Sequence, residues 1–227
     1  MRDARALAAL LQLASPALPV GAFSYSQGLE RAIHDGDVAD EPSVTEWIVD
    51  VVRGPLAHFD APAIVRMHAA WVVGDVAEVE RWNERVLASR ETMELRAETL
   101  QMGASLVKLV AAWERGPAAL RSEVAKLDAP TFPAAWAAAA VALGCDARDA
   151  VVAFLFGSAE NLVAAALKSG PFGQVAGQRI LLAVQDAIAE AVDVATTIDD
   201  DDLWSSSPGL AIASSRHETQ YSRLFRS

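Results

Sequence analysis

Apolar positions recur along almost the whole chain at the spacing of one helical face. Val44, Trp47, Ile48, Val51 and Val52 follow at i, i+3, i+4, i+7 and i+8, and Ile64, Met67, His68, Trp71 and Val72 repeat the pattern. Val79, Trp82, Asn83 and Val86 mark another helix, and Leu95, Thr99, Met102, Leu106, Leu109 and Trp113 draw one stripe through residues 91–113. No stretch alternates apolar and polar residues with β-branched enrichment, so no sheet is required.

The breaks fall where backbone chemistry demands them. A first helix over 4–15 stops at Pro16, because proline disfavours helix in the residue before it. A loop of prolines leads to Ser24 or Ser26, either suited to cap a helix that reaches His34 and ends at Gly36. Ser43 and Glu46 have the spacing of a capping box. Gly54-Pro55 interrupts, and Asp60 with Pro62 reads as the start of the next helix, which Gly74-Asp75 separates from its successor. Gly116-Pro117 closes the helix over 91–113, and a weaker one follows. After a proline-rich turn at 128–133 come helices over 134–143, 146–168 and 173–198. The prediction is an all-α, single-domain bundle of about ten helices spanning 1–198. An acidic loop and a cationic tail at 199–227 belong to the same domain.

Composition supports this. Alanine fills 46 of 227 positions, and it is the best helix former and a poor strand former. The longest apolar run, residues 134–145, falls short of the roughly 20 a spanning helix needs. Arg2 and Arg5 ahead of Leu7, Leu10 and Leu11 faintly resemble a leader, but Asp3 and Gln12 interrupt it and Pro16 and Pro19 follow, so a cytoplasmic protein is expected. The net charge of −11 argues against nucleic acid as a partner. Charge is unevenly placed: 199–202 is four consecutive aspartates, whereas 214–227 holds three arginines and one glutamate beside Tyr221 and Phe225. Set off by Pro208-Gly209, that tail reads as a docked terminus, a frayed solvated end, or a partner-binding segment chemically separable from the last long helix.

Catalytic chemistry is hard to find. There is no phosphate-cradling loop and no serine elbow. Cys145 is alone, which excludes an internal disulfide, and its apolar context suits an inert thiol. The four histidines, His34, His58, His68 and His217, lack paired metal-ligand spacing; His217-Glu218 begins like a metalloprotease signature, but Tyr221 stands where the second histidine belongs. His58, Asp60 and His68 form a metal set only if adjacent helices face each other, and the aspartate run lacks the turn of a calcium loop. Ser24 and Ser26 beside Tyr25 have no neighbouring base. No catalytic, cofactor or metal residue is assigned. Two rivals stay open: an unrecognised helical enzyme using Ser24 or His217, and a direct metal carrier using His58, His68 and the acid run.

Several segments, in order, resemble the UreF family of urease accessory proteins. Leu11-Gln12-Leu13-Ala14-Ser15-Pro16-Ala17-Leu18-Pro19-Val20-Gly21-Ala22-Phe23-Ser24-Tyr25-Ser26-Gln27-Gly28-Leu29-Glu30 is similar to its N-terminal signature. Ser214-Ser215-Arg216-His217-Glu218-Thr219-Gln220-Tyr221-Ser222-Arg223-Leu224-Phe225-Arg226-Ser227 is similar to its C-terminal one. Segments 90–96, 102–106, 161–166 and 172–179 fall between them in the family's order. Departures are mild: Ala22 stands where a glycine is frequent, Lys168 where an arginine is, and Phe172 where a leucine is.

The resemblance implies an all-helical homodimer without enzymatic activity or cofactor. It would bind the accessory protein UreD (UreH in some organisms) and recruit the GTPase UreG, so that nickel enters apo-urease. It also assigns partner-binding roles: Phe23, Ser24, Tyr25, Ser26 and Glu30 in the first segment, and Arg216, His217, Glu218, Tyr221, Arg223, Phe225 and Arg226 in a tail that orders on binding. Gln174, Gln178 and Arg179 supply a polar helix face suited to an interface, a water-lined passage or plain solvent exposure.

Overall fold

A computed structural model of the chain describes residues 4–227. Arg2 and Asp3 of the leader-like start lie outside the described residues. Those described hold α-helices joined by turns, one π-helical segment and two 3-10 turns, with no strand among them.

In chain order the helices are α1 (Ala4–Ala14), α2 (Leu29–Asp35), α3 (Glu41–Val51), α4 (Ala61–Val73), α5 (Val76–Ala88), α6 (Met93–Ala112), α7 (Ala118–Val124), α8 (Phe132–Leu143), α9 (Ala147–Ser169), α10 (Gln174–Ala183), α11 (Gln185–Thr197) and α12 (Pro208–His217). The architecture is therefore the expected all-α bundle.

The alanine excess finds its reason in α8. Ala134, Ala135 and Ala137 to Ala140 are fully buried, and the helix packs against α4, α6 and α9. A helix apolar all round belongs in an interior, and small side chains let its neighbours approach closely. α9 is the second axis, packing against α1, α2, α3, α4, α10 and α11. It is also the only described helix long and apolar enough to cross a membrane, and more than half of its most apolar window is buried inside the protein.

Several boundaries differ from the sequence expectation. The capping box lies one turn earlier: Ser43 N donates to Asp40 Oδ1 at 2.9 Å, and Asp40 N returns a bond to Ser43 Oγ at 3.0 Å. Gly54-Pro55 does not end the helical path. The π-helical segment Val52–Asp60 carries it through a kink at Gly54, whose φ of −87° and ψ of −112° are not helical. Asp60 does not cap α4; its carboxylate is taken by both terminal nitrogens of Arg90. The expected helix over 173–198 is two, α10 and α11, joined at Val184 where ψ is −4° and no glycine or proline announces a turn. Pro208 starts α12, since a first-turn proline gives up no hydrogen bond the helix would make.

Between α7 and α8 the chain passes through Ala129 at φ 43°, a conformation costly for an L-residue. Buried Asn83 holds it, accepting from Thr131 N at 2.8 Å and donating to Ala129 O at 3.2 Å. The same turn presses on α6. A Cβ at Gly103 would lie 2.0 Å from Pro130 O. Helix propensity alone favours alanine there by ~1 kcal/mol, but the backbone contact decides the sign. Gly103→Ala is expected to destabilise by about 1–3 kcal/mol, read as a fall in melting temperature of about 2–4 °C per kcal/mol.

Candidate functional site

Residues 22–30, the first turns of α6 and residues 213–227 meet on one side of the bundle. The pairing begins in the backbone. Ser26 N donates to Ser227 O at 2.8 Å and Arg226 N donates to Ser24 O at 2.8 Å, so the end of the chain runs beside the first segment. Ser26 Oγ also donates to Ser227 O. Gly28 admits the tail at closest range. At φ +77° it takes a left-handed turn, and a Cβ there would sit 2.9 Å from Ser214 N.

Glu30 and His217 form the centre. Glu30 Oε1 accepts from Leu224 N at 2.8 Å, and Oε2 accepts from Phe225 N at 3.1 Å and faces His217 Nε2 at 3.0 Å. The other ring nitrogen, Nδ1, lies 2.7 Å from Glu94 Oε2, whose second oxygen receives Arg223 Nη1 at 2.7 Å. His217 is 0% exposed and Glu30 is 6% exposed. Bonds to an ionised acceptor in such surroundings are strong, and breaking one leaves a buried polar group unpaired. α6 adds the clamps. Met93 N donates to Glu218 Oε1 at 2.9 Å, and Thr92 Oγ1 and Ser214 Oγ are 2.8 Å apart.

Glu98 closes the lock from below. It is 5% exposed, accepting from Gln27 Nε2 at 2.8 Å and from Ser227 Oγ at 2.9 Å. Burial pushes its carboxyl above the ordinary carboxylate range, against the pull of those two hydrogen bonds.

The structure thus brings the two sequence segments together and buries several of their residues. The tail is docked, not separable: its own backbone is the ligand of Glu30. Phe225 is buried, so it packs inside instead of offering aromatic surface, and Lys168 Nζ lies 5.4 Å from its ring centroid. Tyr25 and Ser26 are buried as well, and Gly28, not either serine, occupies the cap position of α2. Arg226 spends its guanidinium on Gln101 at 3.0 Å. Phe23, Tyr221 and Leu224 face solvent, at 66%, 104% and 69% exposure, and Arg216, Arg223 and Arg226 are exposed beside them. Gln174, Gln178 and Arg179 stand apart on α10, where Arg179 is held by both oxygens of Glu41.

Sequence reading missed Glu94, Glu98 and Gln101. Their signal was present, since they recur at i, i+4 and i+7 along one flank of the apolar stripe of α6. The rival readings fare poorly on geometry. His217 is enclosed between carboxylates, beyond the reach of a substrate that general acid–base chemistry needs. Among the candidate metal ligands, His68 Nε2 is 2.9 Å from Cys145 O, and His58 stacks on Trp204 with ring centroids 4.4 Å apart. Asp60 holds Arg90, and Asp200 of the acid run holds Arg66. Burial raises the Cys145 thiol above its ordinary value.

Residues 38–185 match the family model described as UreF. A urease accessory protein UreF from Azoarcus sp. (strain BH72) is 53% identical over 96% of this chain and 94% of its own length. Those of Ralstonia pickettii (strain 12J) and Cupriavidus necator (strain H16) are 52% and 49% identical, each over the full length of both chains.

Because the folded state holds the Glu98 proton more tightly than an unfolded chain does, that proton stabilises the fold at low pH. Its contribution is lost as pH rises through the folded value. Glu98→Gln keeps an acceptor for Gln27 and removes the buried charge. It is expected to melt about 2–4 °C above the parent at pH 8, the response to roughly 1 kcal/mol in a domain this long. The difference should shrink as pH falls toward 4, and thermal melts across that range check it.

Proposed function

The chain belongs to the UreF family of urease accessory proteins, and from that premise we propose that it is a non-catalytic adaptor of urease maturation. In this reading it binds UreD (UreH in some organisms) through the face carrying the docked tail. It recruits the GTPase UreG to that assembly, and nickel then enters apo-urease. The observation that carries the reading is the joining of two signature segments, some 200 residues apart in sequence, into one buried lock that leaves Phe23, Tyr221 and Leu224 outside.

A tail already fixed by Glu30, His217 and Glu98 loses little further freedom on binding, so contact energy is not spent on ordering it. Aromatic and arginine side chains on a rigid frame are the types that dominate interface energetics. Tyr221 is fully exposed and packs on nothing, so its presence there has no stability rationale. We also propose a homodimer, supported by Val175 and Leu182, which stand 68% and 66% exposed on α10 beside Gln178.

Removing residues 216–227 would strip Glu30 and Glu94 of their partners and Glu98 of Ser227, so that deletion tests stability before it tests binding. The surface pair Tyr221→Ala with Leu224→Ala is the cleaner probe. It is expected to leave the melting temperature nearly unchanged, surface changes costing within about 0.5 kcal/mol. It should weaken capture of UreD by tenfold or more, about 1.4 kcal/mol. Undiminished capture would remove this face from the assembly. For the dimer, light scattering at micromolar concentration should give about twice 24.1 kDa; a species of single-chain mass alone would sink it.

A further inference from the structure

Beneath the loop that precedes α2 lies a cavity of about 250 Å³, close to the lower end of the roughly 300–1,000 Å³ of small-molecule sites. Its floor is aromatic. Phe132, Trp136 and Phe154 pack with ring centroids 5.5 to 5.8 Å apart. Four ionisable groups line it, Asp60, Arg90, Glu98 and Glu160. Arg90 is committed to Asp60, which leaves the carboxylates of Glu98 and Glu160 in excess. Glu160 has no hydrogen-bond or ion-pair partner among the described residues, and burial alone raises its carboxyl above the ordinary range.

Gly157 shows that the space is not forced by packing. It sits inside the 23-residue helix α9 and lines the cavity. A Cβ built there meets nothing nearer than Ala14 O at 3.9 Å, an ordinary contact. Glycine is the poorest helix former after proline, so α9 forgoes stability where a methyl group would fit. The side chain missing is one that would enter the void.

We propose that this cavity is a binding site for a small organic cation on an apolar stem, an alkylammonium or alkylguanidinium. The stem lies on Phe132, Trp136 and Phe154, and the charged head reaches Glu160 and Glu98. Aromatic faces attract a cation as well as an alkyl chain. A bare divalent ion is a poor fit, since hard cations take six or more oxygen ligands, and among the described residues no group of three or more His, Cys, Asp or Glu is placed to hold a metal. The proposal is independent of the adaptor reading.

The test titrates the full chain with n-hexylammonium, 1-hexanol and hexanoate, by calorimetry and by saturation-transfer NMR. Hexylammonium is expected to saturate at least tenfold more tightly than hexanol, about 1.4 kcal/mol, and hexanoate to give no saturable signal. Glu160→Gln should bring the amine and the alcohol to near parity. Gly157→Leu, which fills the void, should abolish binding of both. Equal affinity for amine and alcohol in the parent overturns the proposal, as does the absence of saturable amine binding or unchanged binding in Gly157→Leu. Should Gly157→Leu fail to fold, Glu160→Gln decides: retention of the full amine preference overturns the proposal, and its loss upholds it.

Discussion

The Glu30 carboxylate is the point on which this side of the molecule depends. Its two oxygens take the amides of Leu224 and Phe225 and face the ring of His217. A carboxylate buried without donors would be costly enough to undo the local fold. The donors come from the far end of the chain, so the charge acts as a requirement that the last residues return to α2. His217 extends the requirement to Glu94 and so to α6. Three elements distant in sequence are thereby fixed by polar groups that each need the others.

This arrangement explains an otherwise odd distribution of charge. The cationic end of an acidic chain looks like a segment meant for another molecule. Much of its charge is answered internally: Arg223 by Glu94, and Arg216 at longer range, 3.5 Å, by Asp35. The segment closes a gap in the body's own electrostatics and, once closed, holds Tyr221 and Leu224 out at fixed positions. Docking and display are one device.

The fold was largely legible in the sequence because helical periodicity and alanine content are local signals, and the interiors of α4, α6, α8 and α9 follow them. Boundaries were less so. Pro208 and Gly54-Pro55 read as stops, but a first-turn proline is harmless and a π-helical segment absorbs the kink at Gly54. The turn at Val184 carries no glycine or proline at all, so only tertiary packing specifies it. The site was half legible. Its two halves were visible as unusual segments, but whether a residue such as Phe225 faces inward depends on which amides Glu30 claims. That is a fact about contacts nearly 200 positions apart, with no local trace. Glu98 was half legible too: its spacing from Glu94 and Gln101 is a local signal, but its place under Ser227 is not.

Glu98 also ties the lock to the cavity, for the carboxylate that accepts from Gln27 and Ser227 belongs to the cavity wall. A cation lodged against that wall would favour the ionised form of Glu98 and so strengthen its hold on both hydrogen bonds. Linkage makes the effect mutual, since whatever tightens the tail on Glu98 must tighten the cavity's grip on its ligand by the same factor. If both proposals hold, the surface that Tyr221 and Leu224 present to a partner is steadied from beneath by what the cavity contains. The two sites then answer to one buried charge.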